Sequence, residues 1–179
     1  SDTYLFSGAE DLVPELEYNK DIKEWEEKRI DDRNLSENTY SIKRYRPRIE
    51  GSFARIERWT DLASGEIKWR VITKENITTL YGWTNQSRLV DPADPNRIFE
   101  WHPEFVFDDK GNCSHYVYKK EDDAGFDPSS LHNRNRLKDG KISYTNLYLE
   151  KIYYGKKPPS YQYFGDPFPE KDEYLFETM

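Results

Sequence analysis

Chemistry in this chain has few reagents to work with: three histidines (His102, His115 and His132), one cysteine (Cys113) and several runs dense in charge. A metal centre needs donors at ligand spacing, and no pair of these histidines has it. His102 stands beside Pro103 and Glu104, and His115 falls in a strand-like stretch. A Ser-His-Asp set does not need sequence neighbours, but no G-x-S-x-G elbow is present to display a serine. Structural or surface places are therefore expected for the histidines. Asp108-Asp109-Lys110-Gly111-Asn112 opens like a calcium loop, yet the bidentate glutamate would fall on Lys119, so a hairpin turn is the better account. No metal and no cofactor is expected.

Glu24-Trp25-Glu26 matches the Glu-x-Glu pair used in ADP-ribosyl transfer, but in so acidic a stretch the match is nearly free, and no activity is expected from it. The stripe Lys43, Arg44, Arg46, Arg48, Arg55 and Arg58 would bind phosphates if it were exposed together. The formal net charge of −7 argues instead that these cations pair with Glu50, Glu57 and other acids across strands, with no nucleic-acid partner. Aromatic residues make up 16% of the chain and could stack on sugars. The alternative reading is accordingly a secreted β-module that binds a glycan or host surface through exposed aromatics and the arginine stripe. Where Tyr45, Phe53, Trp59, Trp69 and Trp101 point separates the two. Burial of most favours architecture, and a solvent-facing platform of three or more favours ligand binding.

These residues must be positioned by strands. The run from Arg44 to Trp59 alternates Arg44, Arg46 and Arg48 with Tyr45, Pro47 and Ile49, breaks at Gly51, and resumes with Phe53, Arg55, Glu57 and Trp59 opposite Ala54, Ile56 and Arg58. Hydrophobic residues are only 35% and charged residues 34%, so the core is expected to be aromatic more than aliphatic. Strands are expected at 4–6, 12–14, 40–47, 52–60, 67–72, 76–81, 97–101, 104–107, 114–118, 146–154 (ended by Gly155), 161–164 and 174–178, the last two as a pair around a turn at 165–169. Asp91-Pro92-Ala93-Asp94-Pro95-Asn96 reads as a rigid loop. In the charged segment 15–38, Ile22, Trp25, Arg29 and Ile30 lie at helical spacing, which favours a short helix over a charged edge hairpin. Asp127-Pro128 caps a second short helix. The fold class is mainly β, an antiparallel hairpin meander with one or two short helices. The chain reads as one domain, 1–179, and, with Ser1 for Met and a strand-like 174–179 at its end, as a piece of a larger protein. No apolar run reaches membrane-spanning length.

Three motifs are more specific than any of these patterns. RYRPRIEGSFARIERW is followed by TKENITTLYGWTNQSRLVDPADPNRIFEW, and then by FDDKGNCSHYVYKKEDDAGFDP with LHNRNR and YLEKIYYG. In this order and spacing they resemble the SpvB-like N-terminal region of bacterial insecticidal toxin complex B components, the region that also opens the Salmonella virulence protein SpvB. The resemblance covers nearly the whole chain. It implies a secreted, non-catalytic segment of a β-shell of the Rhs/YD type that encloses and helps deliver a cytotoxic effector. The implied partners are the remaining shell and propeller of the same polypeptide, an Rhs-type C component and an A component. It makes Arg44, Tyr45, Arg46, Pro47, Arg48, Gly51, Phe53, Arg55, Trp59, Trp69, Asp91, Pro92, Asp94, Pro95 and Trp101 a structural signature. Asp108, Asp109, Gly111 and Asn112 with Tyr116 and Tyr118 resemble one Tyr-Asp repeat. In SpvB the transferase is a separate C-terminal domain that nothing here resembles. For 15–38 the resemblance implies strand.

Overall fold

The computed structural model describes residues 3–6, 10–35, 37–51, 53–121, 125, 127, 129–138, 141–142, 145–156 and 168–179. The strands are β1 (Tyr4–Phe6), β2 (Glu10–Pro14), β3 (Leu16–Asn19), β4 (Glu24–Glu27), β5 (Arg29–Leu35), β6 (Asn38–Pro47), β7 (Arg55–Asp61), β8 (Ile67–Ile72) and β9 (Thr78–Tyr81). They continue with β10 (Arg88–Asp91), β11 (Asp94–Trp101), β12 (Pro103–Phe107), β13 (Cys113–Lys120), β14 (Leu137–Lys138), β15 (Lys141–Ile142), β16 (Leu147–Lys156) and β17 (Tyr174–Thr178). One long sheet runs β1-β2-β6-β7-β8-β9-β12-β13-β16-β17, with β5 also on β6; β3–β4, β10–β11 and β14–β15 form separate ribbons. Every described pairing is antiparallel, as the alternation of the sequence predicts.

Successive strand residues face opposite ways, and here both faces of the sheet centre are covered. Ile42 pairs across with Trp59, and Leu80 with Phe105, on the first face. Tyr45 pairs with Ile56 and Ile56 with Val71 on the second. The first face holds two clusters, one of Tyr40, Ile42 and Trp59, the other of Leu80, Phe105, Phe107, Cys113, Tyr153 and Tyr174; Trp83 packs against both. The second face holds Leu12, Tyr45, Ile56, Trp69 and Val71, with Tyr4, Phe6, Tyr81 and Trp101 against them. The aromatic core expected from composition is present.

Several expectations are corrected. Residues 16–27 form the β3–β4 hairpin and 29–35 a strand, so the helix over 15–38 does not exist. The helical spacing gathered residues from different environments: Ile22 lies in the turn, Trp25 is 66% exposed on β4, and Arg29 and Ile30 belong to β5. Helical structure among the described residues is confined to 3-10 turns at Asn85–Ser87, Leu131–Arg136 and Lys171–Glu173. Asp127 does organise the turn before the second of these, its Oδ1 accepting from Ser129 N at 2.9 Å, but the helical turn starts only at Leu131. Strand β7 begins at Arg55, not at residue 52: Phe53 takes φ +50° and is 73% exposed. The proline loop shrinks to Pro92-Ala93, with Asp94, Pro95 and Asn96 already inside β11. Gly155 lies within β16 at φ +75° instead of ending it. β17 pairs with β16; residues 161–164 and 165–167 lie outside the described residues.

Candidate functional site

The Arg44–Trp59 run splits its arginines between three tasks. Arg44 closes the base of the β3–β4 hairpin: its N–H donates to Lys28 O (3.1 Å), its carbonyl accepts from Glu15 N (2.9 Å), and Lys28 N donates to Glu15 O (2.7 Å). Its side chain reaches Glu15 at 3.8 Å, while Arg48 pairs with Asp11 at 3.3 Å. Arg46 is exposed and Pro47 buried between them, as the alternation requires. Lys43 pairs with Glu27. The cross-strand pairing expected from the acidic balance is there, although Glu50 spends its carboxylate on the Phe53 N–H (2.8 Å) after Gly51.

Arg55 serves the buried carboxylate of Glu57, which is 1% exposed. Glu57 accepts from Arg55 Nε at 2.6 Å and from Trp59 Nε1 at 3.1 Å, with Arg70 at 3.5 Å. Glu57 lies directly between Arg44 and Arg70 in the ladder, so a charged layer crosses the sheet inside an apolar face. Burial pulls the Arg70 guanidinium below its ordinary pKa and the Glu57 carboxylate opposes that shift. A buried charge without its partner is costly, which makes this layer a register device.

On the other face, Arg58 lies over the rings of Tyr4 and Tyr45 at 5.8 and 5.6 Å and donates to both hydroxyls at 3.3 and 3.2 Å. Tyr4, Tyr45, Trp69 and Trp101 meet edge to face, with centroids 4.9 to 6.1 Å apart. Burial raises the Tyr45 pKa against the opposing pull of Arg58.

A third node joins β9 to β12. Gly82 adopts φ +58°, where a Cβ would sit 2.3 Å from Trp101 Cδ1. Its carbonyl accepts from Arg88 Nε at 2.7 Å, and buried Arg88 also meets Glu66 at 3.2 Å. Buried Glu104 accepts from Thr84 N, Thr84 Oγ1 and Ser87 Oγ at 2.7, 2.7 and 2.5 Å, fastening the 84–87 turn. Asp91 and Asp94 each accept from a backbone N–H two residues on, from Ala93 at 2.8 Å and Asn96 at 3.1 Å, which makes the turn around Pro92 tight. Sequence reasoning placed Glu57 among the acids that pair with the arginines but missed its cross-strand partner Arg70 and the contact of Gly82 with Trp101, and it missed Arg88 and Glu104 as fixed points. Their signal was only polar residues among apolar ones.

Asp108 builds the next hairpin. Its Oδ1 accepts from Lys110 N and Asn112 N at 2.9 and 3.0 Å, Gly111 takes φ +89°, and Asp109 is exposed. Tyr118 donates to Pro103 O at 2.7 Å, and Tyr116 is half-buried in the return strand. The candidate reagents do not converge. His102 lies 3.2 Å from Glu100, His115 stacks on Phe105 with centroids 4.4 Å apart, and His132 is exposed beside Ser130. Glu24 and Glu26 lie on exposed β4, Glu26 taken by Asn19 at 2.9 Å. Among the described residues no three of His, Cys, Asp and Glu gather as metal ligands, and no helix is long and apolar enough to cross a membrane.

Of the five deciding aromatics, Tyr45, Trp59 and Trp69 are buried, Trp101 is half-buried and Phe53 is exposed. There is no solvent-facing platform of three among them. A cleft of about 990 Å³ lies on the second face, between β1 and β11, with Trp69, Val71 and Tyr81 in its floor.

A long antiparallel sheet, packed on both faces and locked by buried ion layers, defines a β-wall domain. Comparison with known proteins gives it a family. The SpvB family (Salmonella virulence plasmid 65kDa B protein) matches residues 1–179, and the chain belongs to that family. The Mono(ADP-ribosyl)transferase SpvB of Salmonella typhimurium strain 14028s is 30% identical over 122 residues, 68% of this chain and 20% of that protein. The N-terminal domain of effector protein SpvB from Salmonella typhimurium strain LT2 superimposes with a TM-score of 0.75 at 26% identity, over 92% of this chain and 49% of that one. The structure of TcdB2-TccC3-Cdc42 does so with a TM-score of 0.74 at 25% identity, over 99% of this chain and 8% of that one. The chain thus spans about half of the solved SpvB domain and a small part of the other relatives. These likenesses support a Tc-like shell region.

Proposed function

We propose that this chain is a non-catalytic wall segment of a toxin-complex B-like component, helping to form the β-shell that encloses and delivers a cytotoxic effector. The observation that carries the reading is the burial of Tyr45, Trp59 and Trp69 on the two faces of one continuous sheet. With Trp101 half-buried and Phe53 exposed, the five aromatics offer no solvent-facing platform of three, which suits a wall better than a sugar-binding face. The likeness to the SpvB N-terminal domain and to TcdB2-TccC3 over nearly the whole chain supports the same reading. The partners are then the rest of the shell and the propeller of the same polypeptide, an Rhs-type C component that completes the enclosure, and an A component. The working place is outside the producing cell.

The test is to express the longer polypeptide carrying this segment with a C-type partner and image the product. A hollow particle with this sheet in its wall is expected, whereas a sheet that projects from the particle as an appendage overturns the reading. The isolated 179-residue chain should remain monomeric or weakly self-associating in light scattering. NAD-glycohydrolase and transferase assays should show no turnover. Turnover abolished by Glu26→Ala would refute the non-catalytic role.

A further inference from the structure

The cleft on the second face has walls of a particular kind. Thr3 to Phe6 line one side and Pro95 to Trp101 the other, every residue in turn. Side chains alternate along a strand, so an unbroken run borders one cavity only where the strand presents its edge. The topology agrees: β1 pairs with β2 alone and β11 with β10 alone, so among the described residues each has one edge with no strand beside it. Pro95, inside β11 where the pairing with β10 shifts register, has no N–H to give and is compatible with such an edge.

The side chains around the cleft are largely engaged. Trp101 Nε1 donates to Ile67 O at 2.7 Å, Glu66 meets Arg88 at 3.2 Å, Arg97 meets Asp94 at 3.5 Å, and Glu100 meets His102 at 3.2 Å. Little side-chain polarity is left to read sugar hydroxyls. Among the described residues, β1 and β11 each leave one main-chain edge outside any ladder, beside an apolar floor. Of the charged residues that line the cleft, Glu66 and Glu100 outnumber Arg97, so the rim is acidic.

We propose that this cleft is a strand-acceptor site: it takes an extended peptide of a partner chain by main-chain pairing, apolar side chains toward Trp69 and Val71 and basic ones toward the rim. At about 3.3 Å per residue, the eight residues of β11 span roughly 25 Å, room for a strand of about six or seven residues. The volume, about 990 Å³, is at the upper end for a peptide-sized ligand site. This goes beyond the shell reading and does not depend on it.

The probe is a capped heptapeptide, Thr-Val-Lys-Val-Lys-Val-Thr, titrated into the 179-residue chain by tryptophan fluorescence, with hydrogen exchange of the complex. Saturable binding is expected, with protection gained within Leu5–Phe6 and Arg97–Glu100. Methylating the peptide's inner amide nitrogens leaves its side chains intact and should weaken binding at least tenfold. Glu100→Lys, at an exposed rim position, should weaken it several-fold without lowering the melting temperature. No saturable binding at millimolar peptide overturns the proposal, as does equal affinity for the methylated peptide, which would mark a plain apolar pocket. Protection gained at β5 or β17 instead would place the acceptor edge elsewhere. Protection of the same amides in a longer parent polypeptide without added peptide would put the strand in cis and overturn the partner chain.

Discussion

Gly82 offers the sharpest test of how the sheet is locked. At φ +58° an L-residue is strained by roughly 1–2 kcal/mol on backbone grounds alone. The added Cβ of Gly82→Ala would also fall 2.3 Å from Trp101 Cδ1 and 3.0 Å from Cγ. Neither side can step back freely. Gly82 is pinned by its N–H to His102 O (2.9 Å) and by Arg88 Nε to its carbonyl (2.7 Å), and Trp101 by its indole to Ile67 O (2.7 Å). Overpacking of this sort costs about 1–3 kcal/mol and a broken hydrogen bond about 1 kcal/mol more, giving roughly 3–6 kcal/mol in all. Gly65 is the natural control, with φ +76° and no atom within 4 Å of where a Cβ would stand, so Gly65→Ala should cost only the backbone part, about 1–2 kcal/mol. Urea denaturation followed by tryptophan fluorescence gives both values. If the two variants agree within about 0.5 kcal/mol, the contact with Trp101 is not what makes Gly82 necessary, and the packing argument fails.

Other outcomes follow from the same structure. Glu57→Gln removes the buried carboxylate that faces Arg55 and Arg70 and should cost about 3–5 kcal/mol in chemical denaturation, with Glu57→Leu/Arg70→Met recovering much of it; a loss under 1 kcal/mol would mean the layer is solvated. Burial holds the His115 imidazole below its usual pKa, so as pH falls the unfolded chain takes up that proton first. Its contribution is therefore intact above about pH 6.5 and lost as pH drops through the folded value. His115→Phe keeps the stack on Phe105 and should reduce the stability difference between pH 7 and pH 5; an unchanged difference refutes the assignment. Lys23, at φ +58° in the β3–β4 turn, should accept glycine with a gain of up to ~1 kcal/mol, read as a higher urea midpoint.

Much of this was legible in the residues. The alternation from Arg44 to Trp59 gave the strands and their faces, and Asp108 to Asn112 gave a hairpin, because both signals are local. Segment 15–38 failed because its apolar residues do not share one buried face: Leu16, Tyr18, Ile22 and Trp25 are all exposed on an outlying hairpin. A period argument presumes a common core. The loop at Asp91–Asn96 is shorter than its two prolines suggest, because an edge strand tolerates proline. The partners that fix Glu57 and Gly82 were not legible for another reason. Each is set by residues on different strands, Arg70 and Trp101, and no window of sequence holds both members.

The order of the main sheet nearly repeats the order of the chain: apart from β5, which stays in the sheet against β6, each departure is an inserted ribbon that leaves the ladder and rejoins it. Hairpins can therefore dock one after another on a growing edge, with no strand threaded between two already placed. The first and last strands also sit at opposite ends of that order. Tension applied through them would act across the ladder and open it like a zip, one strand at a time and at low force, and on release the wall would rebuild along the same path.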